Sequence, residues 1–332
     1  MHSGLLTASI VAVSALVAFS EAQSTTEFKQ FEVVHGWPQL PDGQILGQAT
    51  GVGIDPKGNV WVFHRAGRTW QIPFPSEPIR HTTVWSFDPR SGALLRSWGA
   101  GRFIMPHGLT IDRDRNAWLT DAGLHQVFKF LPDGQPLMTL GEARVAGTDD
   151  KHFDQPTDVA VASDGTFFVS GGYGNSRILH FAADGTLIKK WGTKGAGRGE
   201  FDLPHGVAID SAGRVLVADR TNARVQVFDQ SGRFQAQWRS PELGRPYAVA
   251  VARSDRYVVA DGGDQPNEPP DRGRVLITDP NGHVLETIGR FGNYDGQFRL
   301  AHDVAVAGDG SLYVVDAWGQ RLQKFTPRQS VH

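Results

Sequence analysis

Cysteine is missing from all 332 residues. Disulfide staples, thiolate metal ligands and cysteine nucleophiles are therefore excluded, and the fold must rest on its core, with any metal held by nitrogen or oxygen donors. An excess of one charge is missing too. The 33 Lys and Arg face 35 Asp and Glu, and no basic run stands out, so nucleic acid is not an expected partner. Past the first 22 residues no stretch keeps a helical apolar repeat. No apolar run reaches the ~20 residues that a spanning helix needs. What the chain has in quantity is glycine (39) and proline (19), the residues of frequent turns.

One apolar run, residues 4–19, lies near the start and is followed by Ser20-Glu21-Ala22. It reads as a secretory signal cut after Ala22, although no Lys or Arg precedes it. An uncleaved anchor is the alternative. The expectation is a secreted or periplasmic protein whose residues 23–332 form a single domain.

That domain is periodic. The unit "PHGLTIDRDRNAWLTDAGLHQVFKFLPDGQPLMTLG" at 106–141 holds an apolar strand, a turn, a second strand, a third, a tight "PDG" turn and a fourth strand. Related units occupy roughly 46–99, 156–192, 204–239, 246–289 and 301–327. The first carries a proline-rich insertion at 71–81, and the fifth a loop at 262–272. The last unit lacks a fourth strand, and "FEVVHGW" at 31–37 resembles the missing piece. Six units of four strands predict an all-β, six-bladed β-propeller, with the N-terminal strand closing the last blade and removing two exposed sheet edges.

The first strand of each blade lines the central channel of such a ring. The residues that open it are Thr50, His107, Thr157, His205, Tyr247 and His302. The histidines fall on blades two, four and six, so three imidazoles approach the axis from directions about 120° apart by symmetry. Three converging imidazoles make a metal site with open positions, as in catalytic zinc centres; imidazole also suits copper, iron and nickel. Asp303 follows His302 and, by strand alternation, is expected to face away from the ligand side chain. A carboxylate near the main chain of Val52 and Leu109 suits a hard cation such as calcium deeper in the channel.

With these residues placed, "MPHGLTIDRDRNAWLTDAGLHQVFKF", "PTDVAVASDGTFFVSGGYGNSRILHF" and "LPHGVAID" with "VLVADRTNARVQVF" resemble the peptidyl-α-hydroxyglycine α-amidating lyases, which are built on an NHL-type propeller. The likeness runs from about Leu46 to Phe325. It implies zinc on His107, His205 and His302. It implies catalytic roles for Arg65 in "VFHRAG", Tyr173 in "GGYGNSR" and Arg220 in "VADRTN". It implies a structural calcium held by the carbonyls of Val52 and Leu109 and the carboxylate of Asp303. The implied reaction cleaves a peptidyl-α-hydroxyglycine or related carbinolamide to an amide and glyoxylate. Zinc would act as Lewis acid, and the tyrosine as a base helped by a nearby cation.

The chain departs from the family pattern at Gly67 and Gly171, where acidic residues are expected. It departs also at Gly174, where a disulfide cysteine is expected, and at Leu300, where a methionine is expected. A separate monooxygenase would have to supply the hydroxyglycine. The competing readings are a non-catalytic NHL propeller that binds protein or glycan through its loops, and a calcium-dependent lactonase-type propeller. The histidine triad speaks against the second, whose sites are built from carboxylates and amides.

Overall fold

In the computed structural model the described residues are 1, 31–253, 255–263 and 272–328. The signal segment and most of the loop expected at 262–272 lie outside them. Among the described residues, no helix is long and apolar enough to cross a membrane.

Six four-stranded antiparallel sheets follow one another along the chain. Their first strands are Ala49–Ile54, Pro106–Ile111, Asp158–Val161, Pro204–Ile209, Pro246–Val251 and Ala301–Val306, and each contacts the first strand of the next blade. The second strands, such as Val60–His64 (VWVFH) and Val215–Asp219 (VLVAD), are buried along their whole length. Neighbouring sheets cover both their faces, which is why their sequence does not alternate. The outermost strands, such as Leu94–Trp98 and Leu187–Trp191, bury only their ends and read as mixed polar runs.

The apolar core is divided among the gaps between blades. Phe103, Leu109 and Leu119 of blade 2 pack on Trp61 and Phe63 of blade 1. Phe167 and Phe181 of blade 3 pack against Trp118 of blade 2. The same scheme continues around the ring.

Closure occurs where the repeat predicted it. Phe31–Val33 pairs antiparallel with Arg321–Pro327, with Glu32 opposite Thr326. Trp37 then wedges into the gap between blades 6 and 1, its ring centroid 4.9 Å from Tyr313 and 6.1 Å from Phe87. Its indole N–H donates to the Asp88 carbonyl at 3.3 Å. Deleting so large a buried ring costs about 3–5 kcal/mol. Trp37→Ala is therefore expected to lower the denaturant midpoint sharply while the metal stoichiometry of the folded protein stays that of the wild type. An unchanged midpoint would mean that the closing segment contributes little.

Candidate metal centre and active site

Every first strand except that of blade 3 has a β-bulge at its entrance, for example between Pro106 and Leu109, Pro204 and Gly206, and Ala301 and Asp303. The extra residue leaves the ladder and is re-aimed. In blades 2, 4 and 6 it is a histidine. In blades 2 and 4 the glycine that follows lets the strands close on the axis, and a Cβ at Gly108 would lie 2.4 Å from the Thr157 carbonyl oxygen of blade 3; in blade 6 that place is taken by Asp303.

His107, His205 and His302 are buried, and one ligand nitrogen from each lies within 4.8 Å of the others. The ring centroids form a nearly equilateral triangle with sides of 4.8, 4.9 and 4.8 Å. Each Nδ1 is anchored on a main-chain carbonyl of the next blade: His107 on Thr157 at 2.8 Å, His205 on Tyr247 at 2.8 Å, and His302 on Thr50 at 2.7 Å. A carbonyl can only accept, so each Nδ1 carries the proton and each Nε2 keeps a lone pair. The blades between the ligands are thus more than spacers. Thr50, Thr157 and Tyr247 orient the imidazoles through their backbones.

Burial, first of all, holds His107 and His205 well below the usual histidine range, with His302 adding to both. Burial and then the Arg65 charge lower His302 to about 3. Three neutral, pre-aimed imidazoles are the donor set that an N-ligated metal requires.

The hydroxyl of Tyr173 lies 3.1 Å from His107 Nε2 and 3.4 Å from His205 Nε2. Arg65 is buried beside it, and its guanidinium is engaged by neutral partners. Nε donates to the Pro106 carbonyl at 3.0 Å, Nη1 donates to Gln48 Oε1 at 2.7 Å, and the Trp70 ring lies 4.9 Å away. Burial lowers its pKa to about 10, which still leaves it a cation at neutral pH. The charge of Asp121 supports it electrostatically, but that carboxylate accepts the backbone N–H groups of Ile104, Met105, Gly123 and Leu124. Arg220 stands over Tyr247 at 4.1 Å. Trp70 stacks on Tyr173 at 4.7 Å and 35°. Arg65, Tyr173, Arg220 and His302 all line one cavity of about 420 Å³.

Deeper in the channel the bulge interrupts strict alternation. With His302 displaced from the ladder, it and Asp303 both line the channel, Asp303 beside Val52 and Leu109. Asp303 accepts the N–H of Val52 at 2.9 Å and of Val304 at 2.8 Å. Asp158, on the blade opposite, accepts those of Val159 at 2.8 Å and Val207 at 3.0 Å. Burial raises the pKa of both, and for Asp303 the facing Asp158 adds to it. Two half-buried carboxyls across one axis, beside Val52 and Leu109, fit a hard cation with oxygen ligands. The sequence reading passed over Asp158, although "PTDVAVA" and "AHDVAVA" hold the two aspartates at one repeat position, three blades apart.

The four departures have distinct surroundings. A Cβ on Gly174 would lie 2.0 Å from Cγ of Asp154, so a larger residue there requires that carboxylate to swing aside. The tyrosine loop is held instead by hydrogen bonds: Gly174 N–H to the Asp154 carbonyl, Asn175 Nδ2 to the Gly147 carbonyl, and Arg177 to the His152 carbonyl. At Gly171 a Cβ would meet the Arg177 carbonyl at 2.8 Å, whereas Gly67 faces open space. Leu300 is buried on the pocket wall.

Fold and channel together define an NHL-type propeller with a histidine-lined axis. The NHL repeat family matches residues 201–228. The fold is shared with a gluconolactonase of Xanthomonas campestris at a TM-score of 0.60 and 13% identity, over 86% of this chain and 88% of that one; at that identity the likeness concerns the fold alone. Peptidyl-α-hydroxyglycine α-amidating lyase 2 of Drosophila melanogaster is 35% identical over 86% of this chain and 71% of its own length. Peptidyl-glycine alpha-amidating monooxygenase B of Xenopus laevis is 38% identical over 89% of this chain, which spans only 35% of that larger protein. The chain belongs to the peptidyl-α-hydroxyglycine α-amidating lyase family.

Proposed function

We propose that this protein is a zinc-dependent lyase that cleaves a peptidyl-α-hydroxyglycine, or a related carbinolamide, to a peptide amide and glyoxylate, outside the cytoplasm. The observation that carries this reading is the Tyr173 hydroxyl within 3.1 and 3.4 Å of two nitrogens of a three-histidine centre. A non-catalytic binding propeller has no use for that arrangement.

The reaction needs no water and no oxidant. The carbinol hydroxyl gives up its proton, its oxygen becomes the aldehyde of glyoxylate, the C–N bond breaks, and the amide nitrogen takes a proton. His107, His205 and His302 would hold the zinc, which supplies Lewis acidity toward substrate oxygen. Tyr173 receives the hydroxyl proton, with the buried Arg65 cation in the same cavity. Arg220 faces the same cavity and takes the substrate carboxylate. Trp70, packed on both Arg65 and Tyr173, shields that pair from solvent. The Asp158–Asp303 pair, with the carbonyls of Val52 and Leu109, would hold calcium as a tie across the channel.

The test is metal analysis combined with a glyoxylate assay on a short α-hydroxyglycine peptide. About one zinc per chain and glyoxylate release are expected. A folded, metal-replete protein inert on every carbinolamide would instead favour the binding-module reading.

A further inference from the structure

Tyr173 and Arg220 sit at one position of the repeat, the turn that joins the second and third strands of a blade, and Arg65 opens the corresponding loop of blade 1. Blade 6 has the same turn, and there it presents Trp318 to the cavity. The turn is rigidly held. Asp316 accepts the N–H groups of Leu300 and Gly319 at 2.9 Å each and that of Arg321 Nε at 3.2 Å. The Ala317 N–H donates to the Leu300 carbonyl at 3.0 Å. The indole nevertheless remains 36% exposed. Beside it, Tyr247, Leu300 and Ala317 form a small buried apolar cluster on the same cavity wall. The cavity therefore has two unlike sides. Blades 1, 4 and 5 contribute Arg65, Arg220 and Arg245; blade 6 contributes Leu300, Ala317 and Trp318, apolar surface beside its His302.

A carbinolamide substrate has two unlike ends as well. Its carboxylate belongs with the arginines. Its peptide must run outward from the amide nitrogen, and the first side chain it carries is that of the residue before the hydroxyglycine. We infer that Trp318, with Leu300, forms the subsite for that side chain and selects peptides with a large apolar residue there. This rests on the lyase reading given above. A lysine at that position meets the positive field of the arginines. A phenyl or leucyl group gains apolar contact and stacking on the indole.

The experiment compares acetyl-Phe-, acetyl-Ala- and acetyl-Lys-α-hydroxyglycine by kcat/KM for glyoxylate release. Phe is expected to exceed Ala by about tenfold, the scale on which an apolar pocket discriminates. Trp318→Ala should bring the Phe/Ala ratio close to one, and Trp318→Phe should restore most of it. A ratio that Trp318→Ala leaves unchanged, or a wild type that prefers Lys, overturns the inference. A second arm measures calorimetric binding of acetyl-Phe-Gly and acetyl-Ala-Gly, which have the carboxylate but no carbinol to cleave. If no substrate releases glyoxylate, the lyase reading fails. The Phe-over-Ala binding ratio, and its loss in Trp318→Ala, still decides the subsite.

Discussion

His205→Ala is expected to strip the centre of its metal and to lower glyoxylate release by about three orders of magnitude. The magnitude follows from the several kcal/mol that a Lewis acid contributes, at about 1.36 kcal/mol per decade of rate. The direction follows from geometry. His205 shares an almost equilateral triangle with His107 and His302, and two imidazoles in a buried channel leave an N-ligated metal undercoordinated. Elemental analysis of the purified variant should find well under one zinc per chain, beside circular dichroism showing an intact all-β fold. His205 makes no contribution to the six between-blade apolar clusters, so the fold should survive. Full metal content and undiminished turnover would refute the centre.

Tyr173→Phe separates the base from the metal. The three ligands are oriented through Nδ1 by the carbonyls of Thr157, Tyr247 and Thr50, none of which involves the Tyr173 hydroxyl. The variant should therefore keep its zinc and still bind a non-hydrolysable carboxylate ligand, while kcat falls about 10²- to 10⁴-fold, the usual worth of a positioned base. KM should change little, because the phenyl ring still stacks on Trp70. Loss of zinc along with activity would recast Tyr173 as part of the metal's support. A KM effect without a kcat effect would recast it as a binding residue.

The ring, its closure and the alternate-blade histidines were legible because each repeats or is conspicuously absent from a repeat. Apolar first strands, Asp-Gly turns and a missing last strand are patterns of residue type, and such patterns survive in a string of letters. The Nδ1 anchors were not legible. Main-chain carbonyls supply them, and Thr, Thr and Tyr at the three positions share no chemistry that a reader could align. How Asp303 faces relative to His302 was not legible, because alternation assumes an unbroken ladder and the bulge at His302 breaks it. Asp158 stood in plain sight at the matching repeat position, but its meaning depends on a partner half the ring away. Trp70 and Trp318 lie in a loop and a turn, where no periodicity tells which way a side chain points.

The carbonyl anchors also bear on how such an enzyme can change. Thr50, Thr157 and Tyr247 support the metal site with more than their carbonyls: the Thr50 and Thr157 hydroxyls donate to the carbonyls of Pro106 and Pro204, one residue before His107 and His205, and the Tyr247 ring packs 4.9 Å from that of His205. A change at any of these positions is therefore felt at a histidine of a neighbouring blade, and the turns of blades 1 and 3 carry Arg65 and Tyr173. Metal ligands and pocket residues are thereby interleaved, blade by blade, around one ring. A propeller of this design cannot exchange a whole blade without disturbing its reactive centre.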